Sequence, residues 1–330
     1  MANNSSCLEF CKFLTEKDDW TLFGASFATF ETFVAILTVI GNLIVLTAFL
    51  REKSLRREIN FYIISLSFGD LCVGLVSIPL YLYKIDPPDA TETCHIKFCL
   101  FKMAVLMTLS NVSMFNLVLI SIKRLKVLSV QRPSVQQEST KKIFVQILCV
   151  WMFATAIGTA PLYLNNNNPD KCQLRNILKI EFIIFRFVIA TIVPVAIMGY
   201  VYFNIGRVIM KQAENKLKCL KSLNPSEPKS NGTMEKEIRA TISIAIIVIV
   251  FCLTWVPSQI LYVVSIYYSG CIPPFVVHIV MSLLLLNSAI NPIIYAFRMR
   301  DIRKAIYRLF GIDRSSGDES SYPGSNNVIQ

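Results

Sequence analysis

Charge is scarce in this 330-residue chain. Asp, Glu, Lys and Arg make up 17% of it, against about 25% in an average soluble domain. Hydrophobic residues make up 54% and the mean hydropathy is +0.52. A soluble domain cannot hide that much apolar side chain, so lipid is the solvent for much of the surface. The same scarcity excludes disordered, collagen-like and linker-rich classes. There are only 2 histidines, and none of the 10 cysteines forms a C-x-x-C pair, which argues against a zinc site. No nucleophile–base pair stands out, so nothing points to an enzyme. No internal repeat is visible, although transporters usually carry one. No cleavable leader is visible either. Glu9, Lys12, Glu16, Lys17, Asp18 and Asp19 interrupt residues 1–22, so the first long apolar segment is expected to act as its own insertion signal.

What the chain does have is long apolar runs. A helix needs about 20 such residues to cross a bilayer. Seven runs qualify, near 24–50, 59–84, 99–129, 142–164, 180–210, 238–268 and 274–297. They are too long, and alternate too little, for barrel strands. The fold class expected is therefore an all-α membrane protein, a seven-transmembrane helix bundle. The formal charge of +11 comes mostly from basic residues in alternate gaps, around 51–57, 123–142, 207–239 and 298–314. That pattern fits a membrane protein rather than a nucleic-acid binder, and it makes those gaps cytoplasmic. Seven spans then put the N-terminus outside. Residues 298–311 space Met299, Ile302, Ala305, Ile306, Leu309 and Phe310 three or four apart between Arg and Lys, which reads as a short amphipathic helix on the inner leaflet. Gly311 is its expected stop. The expected organisation is an extracellular N-terminus (1–23), a bundle (24–297), the amphipathic helix (298–311) and a disordered cytoplasmic tail (312–330). The stretch 216–236 reads as a loop.

Polar residues inside apolar spans are costly and need a reason. Asn42, Asp70, Asn116, Arg186, Asn287 and Asn291 are the prominent ones. They serve either as hydrogen-bonding glue between helices or as functional groups, and a lone carboxylate such as Asp70 calls for a partner, an ion or a proton. Their context is specific. Gly41-Asn42 lies in the first run and Leu66-Ser67-Phe68-Gly69-Asp70 in the second. Trp151 and Pro161 lie in the fourth, and Pro194 with Tyr202 in the fifth. Phe251-Cys252-Leu253-Thr254-Trp255-Val256-Pro257 marks the sixth, and Asn287-Ser288-Ala289-Ile290-Asn291-Pro292-Ile293-Ile294-Tyr295 the seventh. This ordered set resembles the rhodopsin-like (class A) G-protein-coupled receptors over about residues 24–310. Glu237 and Trp255 are 18 residues apart, five turns at about 3.6 residues each, and so share one face of the sixth helix.

The resemblance implies roles. Arg124 matches the arginine of the family's Asp-Arg-Tyr triplet, and Glu237 its resting partner on the sixth helix. Breaking that pair lets the sixth helix swing outward and admit a heterotrimeric G protein, a bistable element biased by ligand. The competing reading is a pair of snorkelling interface charges. Trp255 and Pro257 match the family's pivot, since proline removes a backbone bond and kinks a helix. Pro194 and Pro292 act likewise, and Tyr202 and Tyr295 match tyrosines that rotate inward. Asp70, Ser113, Asn287 and Asn291 match an allosteric sodium pocket, whose alternative is a water-filled network; no other cofactor is implied. Cys99 and Cys172 match the family's extracellular disulfide. Cys7, Cys11, Cys94 and Cys271 also fall outside, with their pairing open. Asn3 and Asn4 head glycosylation sequons on the outer side.

One departure stands out. The triplet reads Lys123-Arg124-Leu125. A lysine cannot pair with Arg124 and repels it. Two outcomes are open: a weakened resting state with raised basal signalling, or impaired coupling as in a decoy receptor.

The pocket implied by the resemblance lies in the outer half of the bundle. Its candidate lining is Glu31, Leu106, Met107, Ser110, Arg186, Trp255, Gln259, Tyr262, His278 and Met281, with Tyr81 at the rim. Leu106 replaces the aspartate of amine receptors, and Leu285 the retinal lysine of opsins. The end of the seventh helix and Glu31 resemble adenosine receptors, but the adenine-binding asparagine reads Tyr262 and the ribose-binding pair reads Leu284-Leu285. Arg186 could meet a carboxylate or phosphate, pair with Glu181, or snorkel outward. The expectation is a multi-pass plasma-membrane receptor that passes a small-molecule signal to G proteins and can also engage arrestin, with a seven-helix transporter as the alternative of another class.

Overall fold

In the computed structural model, residues 20–83, 92–129, 138–164, 178–221, 231–267, 272 and 274–312 are described. They form eight helices and no strand pairing of consequence: α1 (Trp20–Arg51), α2 (Glu58–Leu82), α3 (Glu92–Ser129), α4 (Thr140–Thr159), α5 (Ile180–Phe187, continuing through Val193–Lys221), α6 (Asn231–Tyr267), α7 (Pro274–Arg298) and α8 (Arg300–Leu309). The first seven each contain a run long and apolar enough to cross a membrane. Their outward faces carry Phe33, Ile40, Leu50, Phe203, Leu253 and Ile293, all exposed, which is stable only against lipid. Their inward faces meet in a core of Tyr62, Met114, Leu117, Ile244, Phe251, Trp255 and Tyr295.

Prolines set the local irregularities. The ring of Pro79 displaces the carbonyl four residues back and supplies no N–H to it. The helix absorbs this with a wide turn over Val73–Ser77, one residue more per hydrogen-bonded loop than an α-turn. Pro194 is likewise preceded by a wide turn over Val188–Ile192. Pro257 and Pro292 lie inside otherwise continuous helices. At Pro292 the freed carbonyl belongs to Ser288, and Asn42 Nδ2 of α1 donates to that oxygen at 3.2 Å. The close approach needs Gly41: a Cβ there would meet the Pro292 ring at 3.0 Å. The Gly41-Asn42 pair thus joins α1 to the broken turn of α7.

Helix α8 turns Ile302 and Ala305 into the core and its Arg and Lys side chains outward. It ends at Gly311, with φ of +70°, where the Ile312 N–H reaches back to the Tyr307 carbonyl at 2.9 Å, a left-handed helix stop. Arg308–Glu52 (3.2 Å) and Arg57–Asp301 (3.3 Å) tie α8 to the first connection. The Arg57–Asp301 pair is largely exposed and the Arg308–Glu52 pair partly so, and surface pairs add little stability.

Candidate functional site: a polar core between two ends of the bundle

Trp255 is fully buried and stacks on Phe251 with ring centroids 5.6 Å apart. Next to it lies a polar layer drawn from four helices. Asp70 on α2 accepts from Asn291 Nδ2 of α7 at 2.8 Å and from Ser113 Oγ of α3 at 3.4 Å. Thr254 Oγ1 of α6 donates to Asn287 Oδ1 of α7 at 3.3 Å. Asp70 has no exposure at all, so its carboxylate depends on these donors or on a cation. A cavity of about 10 Å³, the size of one water site, is lined by Ser113, Trp255, Asn287 and Ser288 among others. The layer offers carboxylate, hydroxyl and amide oxygens, a donor set suited to a hard monovalent cation, and equally to water.

Toward the end where α1 begins, the candidate pocket residues fall into separate contacts. On α5, Arg186 is buried, with Nη1 donating to Gln259 Oε1 at 2.7 Å and the guanidinium 5.4 Å from the centre of the Tyr262 ring. Glu181 is exposed. Arg186 therefore neither snorkels nor relies on Glu181; the wide turn before Pro194 re-aims it at α6. A relay continues inward. Gln259 Nε2 donates to Ser258 Oγ at 2.9 Å, and that hydroxyl donates to the Trp255 carbonyl at 2.7 Å. On the other side, Glu31 is buried and accepts from Ser282 Oγ at 3.0 Å. The Tyr81 hydroxyl lies 3.3 Å from His278 Nδ1. Leu106 and Met281 pack on the main core, Met107 joins a cluster with Cys99 and Phe182, and Ser110 lines the small cavity.

At the opposite end, Arg124 is 5% exposed. Tyr202 packs where α3 meets α5, against Leu128, Val201 and Ile205. Tyr295 is fully buried. Glu237 lies on α6, but its side chain is outside the described residues, as are Asn3, Asn4, Cys172, residues 1–19 and the tail beyond 312. Cys99 is disulfide-bonded, whereas Cys72, Cys149 and Cys252 are free. Lys123 forms an ion pair with Glu138, in the connection between α3 and α4. The repulsion expected between Lys123 and Arg124 thus meets a counter-charge that the triplet alone does not reveal.

Several contributors carry no individual signal in the sequence: Glu138, Thr254, Ser258, Ser282 and Ser288. Serine and threonine in helices mostly bond their own preceding turn, as Thr38 and Ser121 do here. Only the packed bundle distinguishes the ones that cross to a neighbour.

The sequence matches the 7 transmembrane receptor (rhodopsin family) profile over residues 41–295. It is 24% identical over 295 residues to adenosine receptor A3 of Bos taurus, covering 86% of this chain and 89% of that one. It is 26% identical over 303 residues to adenosine receptor A2a of Homo sapiens, covering 86% and 71%. The fold is similar to that of squid rhodopsin, with a TM-score of 0.74 at 22% identity, over 88% of this chain and 86% of that one. A multi-pass membrane protein and not an enzyme, the chain belongs to the rhodopsin family of seven-transmembrane receptors.

Proposed function

We propose that this receptor converts binding of a small extracellular molecule into activation of a heterotrimeric G protein, through outward movement of the cytoplasmic end of α6. The observation that carries this reading is the Thr254–Asn287 hydrogen bond. It fastens α6, one residue before Trp255 and three before Pro257, to the α7 side of the polar layer. A proline inside a helix is a hinge, and a polar fastening beside a hinge gives two discrete arrangements for a ligand to bias. Basic gaps support a plasma-membrane orientation with the N-terminus outside and α8 inside. Arrestin would compete for the same cytoplasmic face. The bonded Cys99 supports a disulfide with Cys172, and Asn3 and Asn4 are the proposed glycosylation sites. Arg124 and Glu237 are the proposed cytoplasmic switch pair, with Tyr202 and Tyr295 following α6.

Sodium is the proposed allosteric ion at Asp70, with Ser113, Asn287 and Asn291 as its further oxygen ligands. For the activating ligand, Arg186 favours a carboxylate or phosphate group, since its planar fork matches such oxygens, and the relay through Gln259 and Ser258 leads from there to Trp255. The curated relatives are named as adenosine receptors, but Tyr262 and Leu284-Leu285 stand where the adenosine pattern has its base and ribose contacts, so adenosine is not the proposed ligand.

The test is a G-protein dissociation sensor, run across all G-protein classes in cells at matched surface expression. Ligand-free output above mock cells in at least one class is expected. It should rise when external sodium is replaced by N-methylglucamine, and Asp70→Asn should abolish that rise. Silence in every class, with solute flux across the same membrane, would favour a transporter instead.

A further inference from the structure

Glu138 sits in the connection between α3 and α4, yet its side chain is only 9% exposed. Cations surround it. Lys123 bonds its Oε2 at close range, and Lys126 Nζ lies 3.0 Å and Lys142 Nζ 3.6 Å from Oε1. Gln146 Nε2 of α4 donates to Oε2 at 3.4 Å. The backbone N–H of Glu138 donates to the carboxylate of Glu58, at the start of α2. The Tyr62 hydroxyl of α2 donates to Gln146 Oε1 at 2.5 Å, and the Lys123 ammonium lies 5.8 Å from the centre of the Tyr62 ring. One residue thus gathers the ends of α2, α3 and α4, its carboxylate holding α3 and α4 and its backbone N–H holding α2. The hydrogen bond from Lys123, joined by Lys126, holds its carboxyl at about 2, so it is ionised throughout the physiological range.

Lys123 needs that charge. Its side chain is 11% exposed, and a buried ammonium left without a counter-ion is strongly destabilising. It also adjoins Arg124, itself 5% exposed. Without Glu138, two neighbouring buried cations would repel, and the end of α3 would have to shift or turn Lys123 outward.

We propose that Glu138 is a positioning residue for the receptor switch: it supplies from the connecting segment the negative charge that the family pattern carries beside Arg124, and so holds the cytoplasmic end of α3 in its resting place. This rests on the receptor reading above. The acid is relocated and holds Lys123, and it is shared with α2 and α4 instead of lying within α3.

The experiment is a double-mutant cycle on the full-length receptor: Glu138→Gln, Lys123→Met and both together, with Glu138→Asp. Ligand-free G-protein output at matched surface expression and melting temperature of the purified protein are read for each. Glu138→Gln alone should raise ligand-free output about fivefold, the low end of ordinary intersite coupling, and should lower the melting temperature. In the Lys123→Met background, where no ammonium at 123 needs the counter-charge, Glu138→Gln should change both much less. Glu138→Asp should stay near wild type in output, and Glu138→Gln should not. Additive effects in the cycle would overturn the inference. So would a melting cycle that couples while output stays at the wild-type level in a receptor that signals. Silence of every variant in every G-protein class would instead overturn the receptor reading, and the melting cycle would still decide the ion pair.

Discussion

Gly158, near the end of α4, is the point where the bundle tolerates least. A Cβ built there would lie 2.2 Å from Thr108 Oγ1, 2.5 Å from Thr108 Cα and 2.6 Å from Thr108 N. Carbon atoms in contact sit about 3.5–4.0 Å apart. Two of the three atoms are backbone and cannot rotate away, so Gly158→Ala must part α3 from α4 by about 1 Å at this crossing. A gap of about 0.5–1 Å already forfeits a quarter to a half of each contact's attraction, and overpacking of this kind costs about 1–3 kcal/mol. Alanine returns about 1 kcal/mol through its better helix propensity, which leaves a net loss of about 0–2 kcal/mol against wild type and a deficit of about 1–3 kcal/mol against a Gly→Ala control that takes the propensity gain alone. The assay is thermal unfolding of purified receptor in one detergent, followed by a thiol-reactive dye that reports the half-buried Cys72 and Cys252. Gly199→Ala and Gly206→Ala are the controls, since nothing lies within 4 Å of a Cβ at either. They should melt at or above wild type. A Gly158→Ala protein that melts with the controls would refute the close α3–α4 crossing.

Asn42→Ala leaves the Ser288 carbonyl without its α1 donor and should cost about 1–2 kcal/mol; in a Pro292→Ala background, where residue 292 regains an N–H for that carbonyl, the loss measured by the same melting assay should shrink to near zero. Arg186→Leu removes a buried charge that has no acid partner among the described residues, so it should melt no lower than wild type, whereas a clear drop would assign Arg186 a structural role and undercut its part in ligand recognition. Glu138 also fixes a pH expectation. Its folded value of about 2 lies below the ordinary glutamate value, so its stabilising contribution is complete above about pH 4.5 and is lost as pH falls toward 2. Between pH 5 and 8 the wild-type and Glu138→Gln melting temperatures should therefore run parallel and converge only in stronger acid; convergence near pH 6 would contradict the ion pair.

The spans and the polar layer were legible in the sequence for one physical reason. In lipid, every spanning segment must satisfy its own backbone, so length and apolarity locate the helices, and any polar residue inside them is conspicuous. Asp70, Asn42, Asn287, Asn291 and Arg186 all announce themselves in this way. The same logic fails outside the hydrocarbon. Glu138 lies among polar residues, where a glutamate is ordinarily solvated, and its partners Glu58 and Lys123 are 80 and 15 residues away. Arg186 was visible but its direction was not, because the wide turn at Val188–Ile192 shifts the register in a way that Pro194 announces without measuring. Thr254 and Ser282 were hidden by number: many serines and threonines in the spans could have crossed to a neighbouring helix, and few do.

Lys123 shows how far a single residue can mislead when its neighbours in space are unknown. Taken with Arg124 alone, it amounts to like charges side by side and a loosened switch. With Glu138 present, Lys123 has a counter-charge of its own, and the residue that supplies it is anchored to α2 and α4 at the same time. An acid inside the triplet can restrain only the arginine beside it on its own helix. An acid at position 138 makes the position of α3 depend on Glu138 keeping its contacts with Glu58 of α2 and Gln146 of α4. If a cytoplasmic partner pulls the connection away, Glu138 leaves Lys123, Lys126 and Lys142 together, and three ammonium groups lose their common counter-ion in one step. The restraint on α3 is therefore more cooperative than the family pattern would make it, and a partner that grips the α3–α4 connection gains leverage on Arg124 that one docking only at α6 does not have.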